Sequence, residues 1–163
     1  MAPGGPLNVK KIVALSTVML ASVALSGCSL SRDVASLDMY TPSDGVQVDL
    51  ETLKVRNAMF IAGSSGNVIL IGSFVNSGME NVTATIQTTD GNGEEVRLSF
   101  EVPAGQKVDL GYNGQDGVVM ALDVLPGSMY PIFVSGASDP VEMLVPVMNG
   151  ALAEYRPFVE LVD

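Results

Sequence analysis

From Val46 onward the apolar residues come in short runs, each cut within about ten residues by Gly, Pro, Asn or Asp, and inside several runs apolar and polar residues alternate. No segment keeps the i, i+3, i+4 spacing that an amphipathic helix needs, so the pattern predicts an all-β fold. Val46, Val48 and Leu50 alternate, and a new run starts at Leu53 and Val55 and passes through Ala58-Met59-Phe60-Ile61. Gly63-Ser64-Ser65-Gly66 closes it, and Asn67 to Val75 follows, with Val68-Ile69-Leu70-Ile71 apolar on both faces as a strand buried from two sides would be. Val82, Ala84 and Ile86 alternate with Thr83, Thr85 and Gln87. Across Asp90-Gly91-Asn92-Gly93, Val96, Leu98, Phe100 and Val102 alternate with Arg97, Ser99 and Glu101, which predicts a hairpin with one wet and one dry face.

Further runs cover Val108 to Tyr112, Val118 to Leu125, Met129 to Val134 and Val141 to Val147. Pro131 and Pro146 point to edges or bulges in the last pair, because proline cannot donate to a ladder. The expected fold is therefore a single immunoglobulin-like or cupredoxin-like β-sandwich over residues 46–150. Residues 151–163, with Tyr155, Phe158, Val159 and Leu161, read either as an extra edge strand or as an apolar arm lying on something else.

The N-terminal end follows a different grammar. Lys10 and Lys11 precede the apolar, small-residue stretch Ile12 to Leu25, which predicts an export signal over residues 1–27. At 14 residues that stretch is too short for a hydrocarbon core that needs roughly 20. It ends in Leu25-Ser26-Gly27-Cys28, which resembles the lipobox of bacterial lipoproteins. The resemblance implies a diacylglycerol on the Cys28 sulfur, cleavage in front of Cys28, and anchorage to the outer face of the cytoplasmic membrane. The competing reading makes Cys28 an ordinary small residue near a conventional cleavage site. Three observations favour the lipid: the match falls where the apolar stretch ends, Cys28 is the only cysteine, and polar Ser29 to Asp44 follows. Residues 28–45 read as a lipidated, flexible linker.

Cleavage would leave 136 residues, enough for one domain with a core. Six basic residues (Arg32, Lys54, Arg56, Arg97, Lys107, Arg156) against eighteen acidic ones leave a net charge of −12. Such a domain repels nucleic acid and anionic lipid, so membrane residence has to rest on the acyl chains. Cationic proteins or cations are the partners its charge admits, although the charge also serves simply to keep an apolar-rich domain soluble. With the lone thiol used by the lipid, no disulfide can staple the fold.

The groups that catalysis commonly uses are missing. The chain has no histidine, which removes the usual general base near neutral pH and the commonest transition-metal ligand together. The glycine-rich stretches Gly63 to Gly66 and Gly111 to Gly117 lack the Lys-Ser or Lys-Thr ending of a phosphate-cradling loop. Asp90-Gly91-Asn92-Gly93-Glu94-Glu95 begins like a calcium loop but has no distal bidentate Glu, and Phe100-Glu101-Val102 continue a strand, so a hairpin turn is the better reading. Glu94 and Glu95 are neighbours on a strand and point to opposite faces, unlike a glycosidase acid pair. After cleavage seven of the nine methionines remain (Met39, Met59, Met79, Met120, Met129, Met143, Met148) and would suit Cu(I), but Met59, Met120 and Met143 sit inside apolar strands and no Met-x-Met or Met-x-x-Met cluster occurs. No enzymatic activity, catalytic residue, cofactor site or metal site is expected.

Three stretches, Val102-Pro103-Ala104-Gly105-Gln106-Lys107-Val108-Asp109-Leu110, Gly114 to Leu122, and Leu125 to Val134 with Val145-Pro146-Val147, resemble the second half of the periplasmic copper-chaperone family of small β-sandwiches. That family's copper ligands include a His and a Met where this chain carries Gly117 and Val119, so the resemblance implies the fold without the copper site. Lys54-Val55-Arg56-Asn57-Ala58, Phe74-Val75-Asn76 and the Tyr130 to Val147 hairpin, together with Cys28, are similar to the LpqE-like actinobacterial lipoproteins. That resemblance implies an accessory subunit on the outer face of the respiratory supercomplex, in contact with cytochrome bc and aa3 oxidase subunits.

The expected function is thus a non-catalytic, membrane-anchored accessory protein whose contact is made by the tail Tyr155 to Val162 or by an acidic sandwich face. The alternatives are a copper-handling lipoprotein using methionines and a free-standing envelope lipoprotein that binds a small ligand or wall component. Replacing Cys28 with Ala is expected to abolish incorporation of labelled fatty acid and to move the chain out of the membrane fraction. Undiminished label in that variant would refute the assignment of Cys28.

Overall fold

The computed structural model describes residues 43–163, a β-sandwich built from nine strands and one short helix. The strands are β1 (Val46–Leu50), β2 (Leu53–Ala62), β3 (Asn67–Asn76), β4 (Val82–Thr89), β5 (Glu95–Val102), β6 (Lys107–Leu110), β7 (Val118–Ala121), β8 (Met129–Ser135) and β9 (Val141–Met148); the helix α1 is Arg156–Val159. The hydrogen-bonded order runs β5-β4-β8-β9-β2-β3-β6. One layer is β5-β4-β8-β9; the other is β2-β3, with β1 beside β2 and with β6 and β7 sharing the outer edge of β3. The end of β9 crosses between layers, pairing in parallel with β2 at Phe60 and Ile61. The all-β sandwich expected from the alternating runs is the fold found.

The core between the layers holds Leu53, Val55, Phe60, Leu70, Phe74, Ile86, Ile132, Val134 and Val145, all almost fully buried. Its inward set changes parity along β2: odd-numbered Leu53 and Val55 face in, then even-numbered Ala58, Phe60 and Ala62. The cause is a bulge. Asn57 adopts φ 51°, and the β2–β3 register slips between Arg56↔Ser73 and Met59↔Ile71. One extra residue turns every following side chain over. Met59 and Ile61 therefore point outward beside Ile69 and Ile71 of β3, on the far side of the sheet from the main core.

That second apolar face is covered by the C-terminal segment. Tyr155 and Val162 are buried on it, with Phe158, Val159, Tyr112 and Met148 packed around. Ser64 fastens the chain end, donating from both its backbone N–H (2.5 Å) and its hydroxyl (2.9 Å) to Asp163 Oδ1, and Ser65 Oγ donates to the Val162 carbonyl at 2.6 Å. Of the two readings of residues 151–163, the edge strand is thus wrong. The segment is an arm, and what it lies on is its own domain, because Met59, Ile61, Ile69 and Ile71 would otherwise face water.

Two other expectations are corrected. Val118 to Leu125 is a strand only as far as Ala121: Leu122 is buried, but Asp123 takes φ 51°, which ends the extended chain. Pro131 is not on an edge strand, since β8 lies between β4 and β9. Its β4-facing side is beyond the Phe133–Ser135 ladder, and its carbonyl accepts from the Thr88 hydroxyl at 2.9 Å instead. The missing N–H therefore breaks no rung. Pro146 turns away from β8, whose side of the ladder is served by Val147, and precedes the parallel pairing with β2.

Phe60→Ala is expected to cost about 3 to 5 kcal/mol in urea unfolding, since it empties the centre of the main core. Tyr155→Ala should cost about 3 kcal/mol by uncovering the outer face, whereas Thr83→Ala on an exposed strand face should stay within about 0.5 kcal/mol of wild type. Equal midpoints for Tyr155→Ala and Thr83→Ala would show that the arm is not part of the cooperative fold.

Candidate interaction surface

Leu25, Ser26, Gly27 and Cys28, expected to form a lipobox, lie outside the described residues. The point where the chain enters the domain is described, and it is tied down. The Gly45 N–H donates to Asn57 Oδ1 (3.0 Å), Asn57 Nδ2 donates to the Tyr112 hydroxyl (2.9 Å), and the Tyr155 hydroxyl donates to Asp44 Oδ2 (2.6 Å). The bulge that reverses the parity of β2 also presents the Asn57 side chain that anchors this entrance. A Cβ at Gly45 would lie 2.6 Å from the Asn57 carbonyl carbon, so only glycine fits there. Burial, and then the Asp44 carboxylate, push the Tyr155 hydroxyl well above its usual range; the same two causes raise Tyr112. Both phenols stay protonated and able to donate near neutral pH.

The tail expected to supply contact is largely spent on this role. Tyr155 and Val162 are buried, and Phe158 and Val159 are packed beside them, leaving Leu161 and Leu152 as the exposed large apolar side chains of residues 151–163.

A different surface is open. On the outward side of β8 stand Met129, Pro131 and Phe133, and on that of β9 stand Glu142, Leu144 and Pro146. They pair across the strands as Met129 with Pro146, Pro131 with Leu144 and Phe133 with Glu142. Met129 is 50% exposed, Phe133 44% and Leu144 54%. A one-sided sheet usually turns polar residues to water, as β4 and β5 of the same layer do with Thr83, Thr85, Gln87, Glu95, Arg97 and Glu101. The strip thus lies between this polar half and the arm-covered β2. Contiguous apolar patches of this kind mark interaction sites. The sequence carries the signal: Met129 to Val134 is apolar at both parities, as Val68 to Ile71 is.

Charge around the strip is lopsided. Among the described residues five cations stand against sixteen acids. Three of those cations are engaged within the chain: Arg56 with Asp49 at 2.5 Å, Arg97 with Glu95 at 3.2 Å, and Lys107 with Asp109 at 2.7 Å. No cation stands on the outward side of β8 or β9.

The remaining candidates for chemistry have structural partners. The Asp90 carboxylate accepts the N–H groups of Asn92 and Glu94, both at 2.8 Å, which closes the β4–β5 turn and holds its carboxyl below the ordinary range. Met59, Met120 and Met143 are buried in the two cores, Gly117 packs against Ile69, and Val119 is half exposed. Among the described residues no group of three or more acids, histidines or cysteines gathers as a cation site, and every buried side-chain polar atom has a partner. The most buried carboxylate, Asp109, accepts from Ser73 Oγ (2.6 Å), Lys107 Nζ (2.7 Å) and Asn113 Nδ2 (2.5 Å). Burial raises its carboxyl, but these donors outweigh burial and the group sits below its usual range.

No protein-family model matches the chain, and no curated protein matches it. Among solved structures, the solution structure of R. palustris CsgH is similar over 55% of this chain and 87% of its own, at 14% identity and a TM-score of 0.30. At that level the likeness says nothing about shared fold or function.

A depressed native carboxyl contributes stability that is present above the unfolded value of about 3.9 and is lost as pH falls through the lower native value. Asp109→Asn is therefore expected to destabilise the domain by about 1 to 3 kcal/mol at neutral pH. The gap in urea midpoint should close as the pH drops through the acid range. A gap that holds constant down to strong acid would exclude this account of Asp109.

Proposed function

We propose that the protein is a non-catalytic lipoprotein, anchored through lipid on Cys28 at the outer face of the cytoplasmic membrane, that works by adhesion as an accessory subunit of the cytochrome bc–aa3 respiratory supercomplex. The observation that carries the adhesive reading is the exposed apolar strip of β8 and β9, on a domain whose C-terminal arm has already covered its other outer apolar face. The supercomplex enters through the resemblance to LpqE-like lipoproteins, of which the Tyr130 to Val147 hairpin, the part that bears the strip, is one element.

In this reading each part has one task. The acyl chains confine the domain to the membrane plane, which raises its effective concentration toward a membrane partner. The Asp44–Tyr155 and Gly45–Asn57 contacts fix the point from which the tether leaves. The sandwich presents the strip on two paired strands rather than on loops, which lowers the ordering cost of docking.

Purification of the intact lipoprotein from its host in mild detergent is expected to bring cytochrome b, cytochrome c and aa3 oxidase subunits with it, with their haem absorption in the same fraction. Recovery of the lipoprotein without haem would refute membership of the supercomplex.

A further inference from the structure

Resting on the adhesive reading, we propose that the outward face of β8 and β9 docks a protein surface that is apolar at its centre and carries Lys or Arg at its rim, with Glu142 as the acceptor for that cation. The centre of the face is set by Met129, Pro131, Phe133 and Leu144, and Glu142 stands directly across from Phe133 in the same outward row. Glu142 has no cation on its own strand or on β8 to answer it, and the nearest strand beyond, β4, presents Thr85 and Gln87. Arg97, on β5, is held by Glu95. A carboxylate left beside an apolar strip loses solvation when the strip is covered, and an incoming Lys or Arg offsets that loss better than a neutral donor because its hydrogen bond is charge-assisted.

The same charges argue against the other two occupants. A second copy would bring its own Glu142 and the like net charge of −12 of the cleaved chain against this one, with no cation on the strip to offset them. An anionic lipid surface would meet a carboxylate where it needs a basic residue. A cationic, apolar protein surface matches both features of the face.

The test uses the full-length lipoprotein in its own membrane, with a photoreactive benzoylphenylalanine placed at Leu144 or, as control, at Thr85 on the polar half of the same layer. Crosslinking at position 144 should yield an adduct whose mapped site on the other protein is an apolar segment flanked by Lys or Arg, and position 85 should yield little. Introducing Glu142→Lys beside the probe should cut the adduct about tenfold, as a like-charge juxtaposition at an interface does, with the thermal midpoint unchanged. An adduct to a cytochrome or oxidase subunit supports both the docking face and the supercomplex. An adduct to another protein at such a segment, with the same Glu142→Lys loss, upholds the docking face and rejects the supercomplex. Adducts only to lipid, adducts to a second copy, equal yields from positions 85 and 144, no adduct, or indifference to Glu142→Lys each overturn the inference.

Discussion

The outer face of the β2–β3 pair carries Met59, Ile61, Ile69 and Ile71, and the C-terminal arm, residues 151–163, is organised around keeping them from water. Two strands that are apolar on both sides can belong only to a three-layered arrangement, or to a sandwich that borrows a cover. Here the cover is the arm that ends at Asp163. Its Tyr155 does two things at once: the ring fills the apolar face, and the hydroxyl donates to Asp44 where the tether enters. The Asn57 bulge is the other half of the device. By turning Met59 and Ile61 outward it creates the face to be covered, and its side chain holds Gly45 and Tyr112 at the rim of that cover. Entrance, arm and outer face therefore stand or fall together.

Strand β8 carries the same signature as β3, and the molecule treats the two differently. Val68 to Ile71 is buried on both sides, since the arm closes the outer one. Met129 to Val134 is buried only on the side of Ile132 and Val134, and among the described residues nothing covers Met129, Pro131 and Phe133. The arm thus covers an apolar sheet face where the fold requires it, and among the described residues the β8–β9 face is left open. An uncovered strip of that kind is unfavourable in an isolated domain, which gives it a physical reason to be covered.

Much of this was legible in the sequence. Period-two alternation located β4 and β5 and the wet and dry faces of their hairpin, and turn residues separated the rest. Three things were hidden, each for a definite reason. The bulge at Asn57 carries no compositional mark, because a single residue with positive φ changes parity without changing the apolar count of the run. The arm was recognisable as apolar, yet its target was not, since the sequence shows that Val68 to Ile71 needs two covers but not that residues 155–162 supply the second. The prolines misled for a geometric reason: Pro131 sits in a middle strand at a rung where a side-chain hydroxyl, Thr88, has replaced the backbone partner. Cys28, proposed as the lipid site from the most specific motif of the sequence, lies outside the described residues.

The acidic charge and the apolar strip constrain one another. An open apolar face on a neutral domain held at a membrane would invite copies of the same chain to pair through it, because confinement raises their local concentration as much as it raises that of any partner. The net charge of −12 of the cleaved chain opposes this at every approach of two copies, and the opposition is strongest where the strip itself bears Glu142 rather than a cation. The charge does not penalise a basic surface; it favours one. Under the proposed docking the acidic charge would serve both solubility and selection, and the two roles need no separate residues, since the same carboxylates that keep like from like are the ones a cationic neighbour would meet.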